Sequence, residues 1–366
     1  MKAPYYNFCL LALLVANAAC STSNKPPQPT TKNDSNTSLQ ECIGPVPFKT
    51  PLISNIYTAD PSAHVFDGKI YIYPSHDLDD NPPSSNQGDH FGMKDYRVFS
   101  LNSMQCGPLI DHGEALNIEN VPWAQKQMWA PDAAFKNGTY FLYFPAKDKN
   151  GIFRIGVAAS PSPTGPFTAQ PQPIPGSYSI DPAVFVDDDG TAYMYFGGLW
   201  GGQLQNWRTG AYSADGVIPG AGEPALGPRI AKLTDDMLHF DGDIKEAQIV
   251  DPEGNPIAGD DWLRFFFEGA WMHKYKGQYY LSYSTGPTHY LVYATSDKPT
   301  GPFTYRGRLL NPVKGWTTHH SIVEYDGAWY IFYHDSSLSG EDNKRCIKVA
   351  PLTYNADGSI KIIDPD

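Results

Sequence analysis

The run "HVFDGKIYIYPS", residues 64–75, reads as two short strands about an Asp-Gly turn. Asp-Gly and Asn-Gly favour two-residue hairpins, because both central residues must take positive φ. Beyond the glycine, aromatic and aliphatic residues alternate, as in a half-buried strand. Four further stretches have the same form: "AAFKNGTYFLYFP" (133–145), "VFVDDDGTAYMYFG" (184–197), "MHKYKGQYYLSYS" (272–284) and "IVEYDGAWYIFYH" (322–334). A third strand follows in most copies, as "YRVFSL" (96–101), "FRIGVAAS" (153–160), "YLVYATS" (290–296) and "CIKVAPL" (346–352). Two of these lead into nearly identical turns, "SPSPTGPF" (160–167) and "SDKPTGPF" (296–303). No stretch has amphipathic helical periodicity with caps. Five like units, each a small antiparallel sheet, predict an all-β chain folded as a single-domain, five-bladed β-propeller. A β-sandwich with coincidental hairpins is the alternative, but it does not account for five similar units.

Composition agrees. The 366 residues include 23 Tyr, 18 Phe and 8 Trp, with 33 Gly and 33 Pro to serve the turns. The net charge of -12 argues against a nucleic-acid partner, which requires a basic surface. Residues 1–20 read as an export signal. Lys2 precedes the apolar run "FCLLALLVA" (8–16), which is too short to span a membrane, and small residues follow up to Cys20. Cys20 after "NAA" predicts a lipoprotein-type cleavage with lipid on that cysteine, and cleavage after "ANA" (16–18) is the rival. The expected location is therefore periplasmic or outer-membrane-anchored in a bacterium, or secreted. Residues 21–40 are polar and Pro-rich and read as a flexible linker, leaving 41–366 as the propeller domain. Export implies an oxidising compartment. Cys42, Cys106 and Cys346 allow one bridge at most, and the sequence does not choose the pair.

In a propeller the first strand of each blade lines the axis, so equivalent positions converge. Counting back eight or nine residues from the turn glycines 68, 138, 190, 277 and 327 reaches Asp60, Ala130, Asp181, Glu268 and His319. The extra residue in the third and fourth units is expected in the turn or in a bulge. Each carboxylate could simply satisfy backbone donors at a blade entrance. Three at matching positions, however, point to acid–base work at a sugar acetal. Inverting glycosidases pair a general base and a general acid roughly 6.5–9.5 Å apart. The acid must stay protonated near neutrality, through apolar burial or like charge nearby. Glu268, within "RFFFEGAW" (264–271), has the apolar sequence neighbours for that role. Asp60, near Thr58, Ser62 and His64, suits the base. Asp181 can keep the pKa of the acid high.

The ordered set "ADPS", "IDPAVF" and "FEGAWM", with "WAPD" in the second unit and "HHS" in the fifth, resembles glycoside hydrolase family 43 over about residues 48–366. The resemblance implies an inverting hydrolase of pentose polysaccharides, with Asp60 as base, Asp181 as pKa modulator and Glu268 as acid. A β-xylosidase, an α-L-arabinofuranosidase or both in one pocket is the leading expectation, acting on xylo- or arabino-oligosaccharides. Endo-arabinanase and a non-catalytic carbohydrate-binding propeller are the alternatives. A retaining fructan or sucrose hydrolase would carry Asn-Asp-Pro-Asn where this chain has "ADPS". Trp129 is a candidate sugar-stacking platform, or else a blade-packing residue. His319 and His320 should face opposite ways, with His319 toward the axis. The resemblance places a histidine there near a central calcium, so His319 is also the candidate metal residue, although the chemistry itself needs no cofactor. Arg345 either reaches sugar hydroxyls or pairs at the surface with Glu341 or Asp342. His90 and Phe91, in the insertion 88–101, and the loop 197–207 are expected to wall the pocket.

Overall fold

The computed structural model describes residues 44–85 and 87–365. The export signal, the linker, Cys20 and Cys42 lie outside the described residues. The first sheet contains β1 (Tyr57–Phe66), β2 (Lys69–Asp77), β3 (Asp95–Leu101) and β4 (Ile110–Asn117). The second contains β5 (Asp132–Lys136), β6 (Thr139–Lys147), β7 (Phe153–Ser160) and β8 (Thr168–Ala169). The third contains β9 (Ala183–Val186), β10 (Ala192–Phe196), β11 (Arg229–Lys232) and β12 (Lys245–Glu246). The fourth orders β14 (Phe266–Tyr275), β15 (Gln278–Thr285), β16 (Leu291–Ser296) and β17 (Phe303–Leu310), with β13 (Ile249–Val250) parallel to β17 at its outer edge. The fifth has β18 (His320–Tyr325), β19 (Ala328–Asp335) and β20 (Cys346–Leu352). Helix among the described residues is limited to short 3-10 turns.

The first strands meet in a closed ring: β1 touches β5, β5 touches β9, β9 touches β14, β14 touches β18 and β18 touches β1. This is the expected five-bladed propeller. Apolar side chains fill the spaces between neighbouring blades. Ala63, Ile70, Ile72, Phe99, Phe332, Ile347 and Val349, for example, join the first and fifth blades. The chain also closes the ring through its backbone. The amides of Lys49, Leu52 and Thr58 donate to the carbonyls of Val349, Ile347 and Arg345, so the segment before β1 runs antiparallel along β20. The three-stranded fifth blade thus gains a fourth backbone partner from the other end of the domain.

Four of the five hairpins are two-residue turns, with Asp67–Gly68, Asn137–Gly138, Lys276–Gly277 and Asp326–Gly327 all at positive φ. That matches the right-handed twist of the flanking strands. The third blade differs. Val186 pairs with Ala192, and the longer loop 187–191 is closed by the Asp187 amide bonding to the Thr191 carbonyl. Its extra residue therefore lies in the turn, whereas the fourth blade has none: Glu268 pairs with Ser284 as Ala59 pairs with Ser75, so Glu268 stands one register position before the one that Asp60 occupies. Cys346 is a free buried thiol, whereas Cys106 is disulfide-bonded.

Candidate active site

Asp60, Trp129, Asp181, Glu268, His319 and Arg345 all line one cavity of about 360 Å³ at the end of the axis. The positions reached by counting converge as expected, with Ala130 on the same wall. Their equivalence is not complete. Ala59 pairs with Ser75, and Glu268 pairs with Ser284, at the same offsets from Gly68 and Gly277. By register, then, Glu268 matches Ala59, and Asp60 matches Gly269. Asp60, Asp181 and Gly269 share a left-handed backbone, with φ of 48°, 57° and 65°. Asp tolerates that conformation better than most residues. Each bulge at the axis turns the strand sharply, and Glu268 enters the cavity one residue before its own bend.

Asp60 is surrounded by four groups. Ser75 Oγ donates to Oδ2 at 2.5 Å. Arg345 Nη1 lies 3.3 Å and His319 Nδ1 3.6 Å from Oδ1. The Asp60 amide donates to His334 Nδ1 at 2.9 Å, and that ring nitrogen lies 3.2 Å from Oδ1. Because Nδ1 accepts the amide hydrogen, the proton of a neutral His334 sits on Nε2 and points to Thr317 Oγ1, 2.9 Å away. Burial opposes the Asp60 charge, but Arg345 first, then His319, outweigh it and hold the carboxyl well below the usual carboxylate range.

Arg345 is buried, and the alternative surface pairing with Glu341 or Asp342 is not what forms. Its Nε and Nη2 grip Asp77 in a fork at 2.9 and 2.8 Å, and its amide also bonds Asp77. The guanidinium lies 4.8 Å over the Phe91 ring. The exposed carboxylates near Lys344 are taken by that lysine, which pairs with Asp79 and Glu341.

The other two carboxyls are biased the opposite way. Burial pushes Glu268 up to about 8, and the Asp181 charge adds to the effect. Burial pushes Asp181 up to about 6, with Asp60 adding and His319 and the Gly269 amide opposing. That amide donates to Asp181 Oδ2 at 3.0 Å, tying the residue after Glu268 to the neighbouring blade. Burial would discharge His319, but Asp181, Asp60 and Glu268 raise it to about 9, so it is an imidazolium among carboxyls. His320 points the other way, as expected, and bonds Ser282 Oγ at 2.6 Å.

The walls come from the expected loops. His90, Phe91, Leu199 and Trp200 line the cavity. Trp129 both faces the cavity and packs. Its Nε1 donates to the Phe91 carbonyl at 2.8 Å, and its ring meets Phe91 edge-on at 6.2 Å. A β-carbon on Gly88 would fall 2.6 Å from the Trp129 ring, so only glycine allows this loop to approach. Sequence reasoning missed Asp77, His334, Thr317 and Trp316. Ser75 and His334 do carry a sequence signal, since each stands at the same offset past its turn glycine, on the second strand of its blade.

Among the described residues, no group of three or more His, Cys, Asp or Glu is placed to hold a metal ion. Calcium prefers several oxygen ligands, and among the described residues no such protein cage surrounds His319.

The model of Glycosyl hydrolases family 43 matches residues 48–360, so the chain belongs to that family. The xylosidase/arabinosidase 43A of Humicola insolens is 60% identical over 86% of this chain and 99% of its own length. A Bacteroides ovatus xylosidase/arabinosidase is 51% identical over 86% and 98%. Among solved structures, a β-xylosidase/α-arabinofuranosidase from a compost microbial metagenome, in complex with xylotriose and in calcium-free form, superposes with a TM-score of 0.85. It shares 63% identity, covering 88% of this chain and 99% of that one.

The Asp77–Arg345 fork generates a stability prediction. Breaking a buried pair by removing one partner typically costs about 3–5 kcal/mol. Asp77→Ala should lower the urea unfolding free energy by about that amount, and a loss within experimental error would show that the fork is not structural.

Proposed function

We propose that this glycosidase removes terminal β-xylosyl and α-L-arabinofuranosyl residues from xylo- or arabino-oligosaccharides of plant hemicellulose, with inversion. One observation carries the reading: a single cavity holds one carboxylate kept charged, Asp60, and one carboxyl kept protonated at neutrality, Glu268. Asp60 is the base. It takes a proton from water as the water oxygen bonds to the anomeric carbon. Glu268 is the acid and gives its proton to the glycosidic oxygen as the carbon–oxygen bond breaks. Attack on the face opposite the leaving group inverts the centre. Asp181 keeps Glu268 protonated by repulsion and braces it through the Gly269 amide. Trp129 offers an apolar face to the bound sugar, and His319 and Arg345 offer donors to its hydroxyls. No step is routed through calcium. The names of the relatives support this substrate class. Ser84, Ser85, Gly88, His90 and Phe91 on one side and residues 199–202 on the other narrow the cavity to a pocket, which favours release of terminal sugars over cleavage within a chain. We further propose export of the protein on the strength of residues 1–20, with lipid on Cys20.

NMR of freshly released xylose should show the α-anomer first when a β-xyloside is cleaved, and initial β-anomer would rule out inversion. Loss of general acid catalysis costs about 10²–10⁴-fold in rate. Glu268→Gln should therefore lose activity to that degree on xylobiose but far less on aryl xylosides, whose leaving groups need no proton. Asp60→Asn should fail on both.

The pH profile provides an independent check. Glu268 works protonated, so activity should fall as pH rises through about 8. Asp181→Asn removes a negative neighbour, which makes ionisation of Glu268 easier. The alkaline limb of kcat/KM should move to lower pH, and an unmoved limb would exclude Asp181 as the modulator. For export, Cys20→Ala should shift the protein from the membrane to the soluble fraction on cell fractionation.

A further inference from the structure

Two tryptophans at the mouth of the cavity are not used by the mechanism above. Trp200 opens the 3-10 turn Trp200–Gly202 of the third-blade loop, and Trp316 lies between β17 and β18. They come from different blades, yet their rings stack, with centroids 5.7 Å apart and planes 21° apart. Both line the cavity and remain 38% and 36% exposed. Neither location is needed for the core. Trp200 also has a left-handed backbone, φ 52°. For a bulky residue that is strained, and strain of this kind is kept where it positions a functional group.

We propose that Trp200 and Trp316 form a leaving-group platform, which stacks the apolar face of the first pyranosyl residue beyond the scissile bond. The inference deepens the glycosidase reading and rests on Glu268 as its acid. The acid delivers its proton to the glycosidic oxygen, so the departing sugar lies on the Glu268 side. That is where the platform begins. Phe267 adjoins Glu268, and the Trp200 ring meets Phe267 edge-on at 5.3 Å. The Phe267 carbonyl accepts the Leu199 amide at 2.9 Å, which fixes the loop carrying Trp200 to the strand carrying the acid.

Trp316 is held just as deliberately. Its amide donates to Asp342 Oδ1 at 3.1 Å, and Asp342 itself lines the cavity. Behind the indole, the buried His289 ring stands 4.4 Å away at 67°. Neither nitrogen of His289 has a hydrogen-bond partner in the structure. That ring backs the indole from the core side and limits its movement. A flat aromatic face with a carboxylate beside it suits a sugar, which presents an apolar face and a rim of hydroxyls.

The test compares kcat/KM on xylobiose, which has a sugar leaving group, with kcat/KM on β-D-xylopyranosyl fluoride, which does not. In Trp316→Ala and Trp200→Ala the ratio of the two should fall about tenfold, the size expected from losing an aromatic contact near the top of its usual range. A merely structural role would lower both values together and leave the ratio unchanged, which would overturn the proposal. Trp316→Phe should restore much of the ratio, and it carries the test if the alanine variant does not fold. Calorimetric titration of xylotriose into Glu268→Gln, with and without Trp316→Ala, separates the two readings. Weaker binding without Trp316 supports the platform even if the wild type proves not to cleave xylobiose, an outcome that would sink only the hydrolase assignment. Unchanged binding overturns the platform.

Discussion

The guanidinium of Arg345 is buried beside two carboxylates, and the charge pattern of the site depends on it. Asp77 satisfies it through a fork, and Asp60 takes its remaining nitrogen. A carboxyl as buried as Asp60 would ordinarily become easier to protonate. The cation reverses that locally. Because Arg345 lies nearer Asp60 than Glu268 in its effect, the same burial yields an ionised group on one wall and a protonated one on another. His319 reinforces the division, since its imidazolium bonds Asp60 while its pull on Glu268 is outweighed by burial and Asp181.

Backbone geometry supplies the positions that this electrostatics requires. The left-handed bends at Asp60, Asp181 and Gly269 fall where the first strands reach the cavity. At two of the three, the side chain of the bent residue is itself the carboxyl. In the fourth blade the bend is a glycine, and the carboxyl precedes it by one residue. That displacement allows the Gly269 amide to face Asp181, so the strand that carries Glu268 is joined to Asp181 by a hydrogen bond while the two carboxyls repel. A strict repeat would have placed a side chain there, against the ring of His319 at about 3.3 Å.

Much of this was legible in the residues. Asp-Gly, Asn-Gly and Lys-Gly turns specify two-residue hairpins by their φ requirements, so the inner pairs of strands could be placed from sequence. "FRIGVAAS" and "CIKVAPL" coincide with β7 and β20. The outer strands of the second and third blades were not legible, because β8 and β12 are two residues long and carry no periodicity. The pairing of residues 49–58 with β20 was hidden for another reason: it joins the two ends of the domain through backbone groups that every residue carries. Asp77 and His334 escaped notice because they end strands otherwise read as apolar. For Arg345 the sequence left sugar contact and surface pairing with Glu341 or Asp342 both open, and only the packing shows that it turns inward.

The three phenylalanines before Glu268 divide their work more finely than their order implies. Phe265 packs with Trp262 and Phe266 with Tyr283, both within the blade core. Only Phe267 lines the cavity, where it meets Trp200. The apolar run therefore does not wrap the carboxyl in three rings. It anchors the strand so that Glu268 cannot withdraw toward solvent, and Asp181 then supplies the repulsion that holds the proton. Burial alone would serve an acid of any reaction. Burial combined with a second carboxyl suits one that must lose its proton to a leaving oxygen and regain it in every cycle, since the pKa is raised without sealing the group from the cavity.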